Sequence, residues 1–213
     1  MKAYLDHGAT TPVDPAVADV MCRLLSDTYG NPSSLHDYGR TAKELLENSR
    51  AAIARSINAS PGEIIFTSGG SESDNLALKG VATALREKGS HIITSKIEHP
   101  AVLKTCEFLE KQGFDVTYLD VDSKGFIDLG KLEKAITPRT ILVSIMHANN
   151  EIGTIQDIEA IGKLCKEKNV IFHTDAVQSF TKTRIDVKRM NISLLSLSAH
   201  KLHGPKGVGT LFV

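Results

Sequence analysis

The 213-residue chain balances 25 lysines and arginines against 25 aspartates and glutamates and is 41% hydrophobic, enough to bury a core as one domain with at most a small appendage. With no net charge there is no global field to draw nucleic acid or anionic lipid, and no apolar run nears the ~20 residues that span a bilayer. Asp6 interrupts the N-terminus before a secretory signal core builds, and Cys22, Cys106 and Cys165, odd in number and far apart, read as free packing thiols in a reducing cytoplasm rather than a disulfide frame or zinc site.

In chain order, the spacing of apolar residues predicts helices over Pro15–Ser26 and Thr41–Ile57, separated by the turn-forming loop Gly30 Asn31 Pro32 Ser33 Ser34. From Glu63 onward short β-branched runs alternate with amphipathic segments, the signature of βα units and a largely parallel sheet. The strands expected are Ile64–Thr67, His91–Thr94, Val116–Leu119, Ile141–Ile145, Val170–His173, Leu194–Leu197 and Thr210–Val213. Between them lie the expected helices Ser73–Lys88, Ala101–Gln112, Leu129–Ala135 and Gln156–Lys168. The fold class is α/β, a mostly parallel seven-stranded sheet flanked by helices. The last residues, Leu211 Phe212 Val213, form an apolar strand with no polar tail, so the chain is expected to stop short of a natural domain end.

Ligands of open parallel sheets gather beyond the carboxyl ends of the strands, and the chemically able residues fall there. Ser68 Gly69 Gly70 Ser71 Glu72 Ser73 joins the first strand to its helix, where glycines admit close approach and the helix offers free amides to a phosphate. It lacks the lysine of a P-loop and equally fits a plain turn. Glu98 His99 Pro100 ends the next strand, with an imidazole able to stack on an aromatic ring and move protons. Asn150 follows the fourth strand. Asp175, after the fifth, could hold a protonated pyridine nitrogen, with Gln178 on the ring oxygen, although an Asp there more commonly caps a helical turn. Lys201 sits in Ser198 Ala199 His200 Lys201 Leu202 His203 Gly204, and a partly desolvated amine at a sheet mouth can form a Schiff base with an aldehyde cofactor. Alone it reads more readily as a solvated loop lysine. Together, five strand ends supply a phosphate cradle, a stacking ring, an amide, a pyridinium partner and an amine, which is a pyridoxal 5′-phosphate site. The histidines show no metal-ligand spacing, and no metal site is expected.

These blocks resemble the pyridoxal-phosphate-dependent cysteine desulfurases of the NifS/IscS type, in the class V aminotransferase group with fold type I. The resemblance runs from Tyr4 Leu5 Asp6 His7 Gly8 Ala9 Thr10 Thr11 Pro12 through Phe66 Thr67 Ser68 Gly69 Gly70 Ser71 Glu72 Ser73 Asp74 Asn75 and His147 Ala148 Asn149 Asn150 Glu151 Ile152 Gly153. It closes with His173 Thr174 Asp175 Ala176 Val177 Gln178 and Ser198 Ala199 His200 Lys201.

The resemblance implies an N-terminal arm over residues 1–14 and a cofactor-binding large domain over 15–213, with the small C-terminal domain missing. It implies Lys201 and His99 as catalytic residues. Gly70, Ser71, Ser198 and His200 would hold the phosphate, with His99 on the ring, Asp175 on its nitrogen, Gln178 on its oxygen and Asn150 where cofactor meets substrate. Ser71 stands where the family usually has Thr. The implied reaction converts L-cysteine to L-alanine and passes sulfur to an enzyme persulfide, for iron–sulfur cluster assembly or thiolation through a scaffold or sulfur-acceptor protein. The sulfur-accepting cysteine of the family lies on a loop beyond the lysine and matches none of Cys22, Cys106 or Cys165. A homodimer, or pairing with a C-terminal partner chain, is expected. The alternatives are a non-catalytic cofactor-binding remnant and a selenocysteine lyase or other class V enzyme.

Overall fold

A computed structural model describes residues 2–213. It contains helices α1 (Pro15–Asp27), α2 (Asp37–Ser56), α3 (Gly70–Ala84), α4 (Pro100–Lys111), α5 (Leu129–Ala135) and α6 (Ile158–Glu167). The strands are β1 (Ile64–Thr67), β2 (His91–Ser95), β3 (Asp115–Leu119), β4 (Thr140–Ser144), β5 (Ile171–Asp175), β6 (Leu194–Ser198) and β7 (Gly209–Phe212). They form one seven-stranded sheet in the order β1-β7-β6-β5-β4-β2-β3. β2 through β6 pair in parallel, whereas β7 runs antiparallel to both β1 and β6. β1 therefore points the same way as β2–β6, and all six carboxyl ends meet at one edge.

Alternation along the buried strands divides the core between the two faces of the sheet, because successive side chains point to opposite sides. Ile92, Leu142, Leu194 and Leu211 pack with Ala77, Leu78 and Ala82 of α3 and Val102, Cys106 and Leu109 of α4. Their chain neighbours Ile93, Val143, Leu195 and Phe212 face Ala54 of α2, Leu132 of α5 and Ile158, Ile161 and Cys165 of α6. β2, β4 and β6 are buried at every position, as parallel strands covered on both faces require.

Local chemistry sets several helix starts. Asp14, Asp128 and Asp157 accept backbone N–H groups at the starts of α1, α5 and α6, and Pro15 and Pro100 occupy first helical positions. α2 begins at Asp37 rather than Thr41 and α3 ends at Ala84 rather than Lys88, and three further expectations need correction. α3 begins at Gly70 rather than Ser73, so the glycine turn is itself the first helical turn. β5 extends to Asp175, which is the last residue of the strand and not a residue beyond it. Cys22 is exposed on α1 rather than packed, because among the described residues nothing buries that helix, and Val17, Val20, Met21, Leu24 and Leu25 are exposed with it.

Candidate functional site

A cavity of about 520 Å³ opens at the carboxyl edge of the sheet, and Gly70, Ser71, His99, Asn150, Asp175, Gln178, Ser198, His200 and Lys201 all line it. Every residue expected from the sequence is thus brought to one place. Asp6, Gly8, Ala9, Asp74, Met146, Glu151 and Val177 complete the wall.

One end of the cavity is rich in donors. Gly69 and Gly70 start α3 without a side-chain cap, so the first-turn amides keep unused hydrogen-bonding capacity. Glu72 turns back to accept from the Ser68 amide, and hydrogen bonding to the Ser68 side chain, with that amide second, pulls its carboxyl below the usual range. The backbone there is tightly seated: a Cβ on Gly70 would lie 2.7 Å from Val177 Cγ2. Ser198 and His200 approach from the end of β6 and the turn after it. His200 shares a hydrogen bond of 3.0 Å between Nδ1 and Thr10 Oγ1, and burial, with Lys201 and Lys206 nearby, keeps its pKa low. Amides, hydroxyls and a ring N–H around an open helix N-terminus fit a phosphate monoester.

The same wall holds the ionisable groups. Asp175 is buried and accepts from the Val177 amide at 2.9 Å. Burial raises its pKa, against the opposing pull of that amide, His99 and Lys201. His99 caps α4, its Nδ1 accepting from the Ala101 amide at 3.1 Å, so the proton of the neutral ring belongs on Nε2. Glu98 behind it is buried. Its carboxylate accepts from Ser95 Oγ at 2.6 Å and from the Met146 amide at 3.0 Å, tying the end of β2 to the end of β4. Burial pushes Glu98 up to about 8.

Lys201 is half-buried and donates to Gly8 O and, at 2.8 Å, to Ala9 O. Burial lowers its pKa; Asp175, Asp6 and Glu151 counter this and Lys182 reinforces it. Gln178 Nε2 also donates to Gly8 O, at 2.8 Å, and the Thr11 amide and hydroxyl both donate to His200 O at 2.9 Å. The N-terminal arm is therefore part of the site wall. Asn150 lies at the rim and donates to Glu151 at 2.7 Å.

Asp74 and the backbone of residues 8–11 join the site without having been expected from the sequence. A signal for Asp74 was present: it shares the inward stripe of α3 with Ser73, Ala77 and Leu78, and a charged residue on an apolar stripe marks a special environment. For Gly8 and Ala9 no side-chain signal exists, because only their carbonyls act.

Residues 3–213 match the family model described as Aminotransferase class-V. Cysteine desulfurase IscS of Clostridium botulinum (strain Kyoto / Type A2) is 55% identical over 212 residues, which are 100% of this chain and 53% of the relative. Cysteine desulfurase IscS of Vibrio cholerae serotype O1 (strain M66-2) is 57% identical, again over 100% of this chain and 54% of the relative. A solved structure of SspA in complex with cysteine superposes with a TM-score of 0.97 at 50% identity, covering 100% of this chain and 61% of that one. A NifS-like protein gives a TM-score of 0.97 at 44% identity, covering 100% of this chain and 59% of that one. The chain thus spans about half the length of the curated relatives it matches. On the match across residues 3–213, the chain belongs to the class V aminotransferase family.

Proposed function

We propose that this chain is the pyridoxal-phosphate-binding part of a cysteine desulfurase. One observation carries the reading: an amine, a buried carboxylate, an imidazole and an uncapped helix N-terminus line a single cavity large enough for a phosphorylated heteroaromatic ring. The amides of Gly70 and Ser71, the hydroxyls of Ser71 and Ser198, and His200 would hold the phosphate. Asp175 would keep a proton on the ring nitrogen, Gln178 would donate to the ring oxygen, His99 would stack, and Asn150 would contact both cofactor and substrate. Lys201 is the residue that would hold the cofactor covalently. When bound, the cofactor supplies a sink for the electrons of the substrate Cα–H bond.

The chain's own groups would move the protons. Burial at the cavity wall favours the neutral, nucleophilic form of Lys201, and its Nζ is the group to take the Cα proton of an amino acid. His99 presents Nε2–H to the same space as a hydrogen-bond donor and would take the acid–base role that the resemblance implies. L-cysteine is the preferred substrate, since the relatives carry the name cysteine desulfurase and SspA was solved with cysteine.

Sulfur transfer needs a thiolate beside the substrate, and none of the three thiols lines the cavity. Cys106 and Cys165 are buried, with pKa pushed up to about 12, and Cys22 lies on exposed α1. This polypeptide by itself is expected to release no sulfide from cysteine. The exposed apolar residues of α1 support a covered surface in the working protein, against a second copy or a partner chain. A scaffold or acceptor protein for iron–sulfur assembly would receive the sulfur.

The test is reconstitution with pyridoxal phosphate, borohydride reduction and peptide mass spectrometry. The pyridoxyl group is expected on Lys201 and absent from Lys201→Ala. Modification at Lys182 instead, or at no single lysine, would refute the assignment.

A further inference from the structure

Asp74, on the inward side of α3, is 1% exposed, and its Oδ1 has no hydrogen-bond partner among the described residues. This oxygen lies 3.6 Å from Nε2 of His173, a ring with no exposed surface. The ring is already committed on both sides, Nδ1 to Ser144 Oγ at 2.8 Å and Nε2 to Ser196 Oγ at 3.0 Å. Asp175 and His173 face the cluster from β5, Ser144 from β4, Ser196 from β6 and Glu98 from the turn between β2 and α4, with His99 and Lys201 at the cavity side of Asp175.

Two charge arrangements are open to such a pair. An ionised Asp74 needs a donor: the Ser196 hydroxyl, which favours the ionised form, is shared with His173 Nε2 at 3.0 Å, so the cationic candidate beside Oδ1 is a protonated His173. That ion pair would lose the hydration of both groups without a hydrogen bond closing the 3.6 Å gap, and desolvation of this kind outweighs the attraction. A neutral acid beside a neutral ring has no such cost. The electrostatics run the same way on balance: burial lifts the Asp74 carboxyl well above the usual range, Asp175 and, less strongly, Glu98 add to the rise against the opposing Ser196 hydroxyl, and burial drives His173 down to about 3. Like-charged neighbours also disfavour a second carboxylate next to Asp175.

We propose that Asp74 is a positioning residue, held as a neutral acid beside a neutral His173, so that of this buried aspartate pair Asp175 alone offers negative charge to a cationic ring nitrogen in the cavity. The inference rests on reading Asp175 as the partner of the pyridine nitrogen. Its consequence is charge matching: one carboxylate meets one ring cation. Asp74 also lines the cavity, and its effect on the ring nitrogen is exerted through the charge of Asp175.

Carboxyl-carbon NMR on the protein labelled at aspartate, assigned by correlation to the backbone, decides the charge state without any variant or cofactor. At about pH 6, where exposed carboxylates are ionised, Asp74 is expected to carry the protonated shift and the His173 ring nitrogens the pattern of a neutral imidazole. An ionised Asp74, or a cationic His173, overturns the proposal. In protein loaded with pyridoxal phosphate, Asp74→Asn, which matches a neutral acid in charge, should leave the pH midpoint of the Lys201 chromophore within about 0.3 unit of the parent. Loss of a real negative charge would move it by on the order of one unit, which also overturns the proposal. Should no chromophore form, the reading of Lys201 fails while the NMR result still decides Asp74.

Discussion

Glu98→Gln tests whether the buried carboxyl behind His99 is as strongly perturbed as its surroundings require. Glu98 is 4% exposed, accepts from Ser95 Oγ and the Met146 amide, and has its pKa pushed from 4.5 to about 8 by burial. A carboxyl whose pKa is higher in the folded protein favours folding most below the unfolded value, and that advantage is lost as pH rises through the folded value. The window is therefore pH 4.5 to about 8. At 1.36 kcal/mol per unit, the rise corresponds to a ceiling of about 5 kcal/mol, and solvent relaxation around a buried charge brings the working range to about 2–5 kcal/mol. Gln keeps an acceptor for the Met146 amide and a polar contact for Ser95 but has no proton to lose. Denaturant unfolding of both proteins from about pH 5 to 9 isolates the effect, since other titrating groups cancel in the difference. Relative to the parent, Glu98→Gln should gain about 2–5 kcal/mol across the window, whereas Glu98→Ala, which also orphans the Met146 amide, should be the less stable at low pH. A stability difference between Gln and Glu that stays flat with pH would refute the reasoning.

Gly70→Ala should weaken pyridoxal phosphate binding about tenfold, or about 1.4 kcal/mol, because its Cβ would meet Val177 Cγ2 at 2.7 Å in the cavity wall. A visible-absorbance titration reads this, and an unchanged Kd would count against the close seating of the turn. Gly162→Ala should destabilise the fold by about 3 kcal/mol, since the new Cβ would lie 1.9 Å from the Met190 carbonyl oxygen, a backbone atom that cannot swing aside. An unaltered unfolding midpoint would contradict the packing of α6 against that segment. Cys22 should react quickly with a thiol-directed disulfide reagent in the folded protein, while buried Cys106 and Cys165, each with pKa near 12, react only on unfolding. Rapid labelling of either buried thiol would show the core to be looser than described.

The sheet was legible because its strands carry short β-branched runs between amphipathic helices, and the site was legible because its residues stand at the ends of those runs. Gly70, His99, Asp175 and Lys201 each follow or finish a strand pattern, and parallel pairing sends those ends to one edge. Boundaries were less legible. α3 starts at Gly70, three residues before the expected Ser73, because the glycine turn itself adopts helical geometry, and β5 carries Asp175 as its last residue because Asp175 still pairs with Ser196 of β6. The exposure of Cys22 could not be read, since a helical stripe predicts an apolar face and not what covers it.

By itself the sequence determined the alternating α/β pattern, the turn chemistry at each strand end and the set of polar residues that such ends display, all of which follow from local periodicity and conformational preference. The tertiary structure decided what depends on distant parts of the chain coming together. Pairing placed antiparallel β7 between β1 and β6, the arm carbonyls of Gly8 and Ala9 came to hold Lys201, and Asp74, Glu98, His173 and Asp175 were buried in one cluster. Their ionisation is a property of that burial, because the cost of a charge is set by the solvent and partners that the fold removes or supplies.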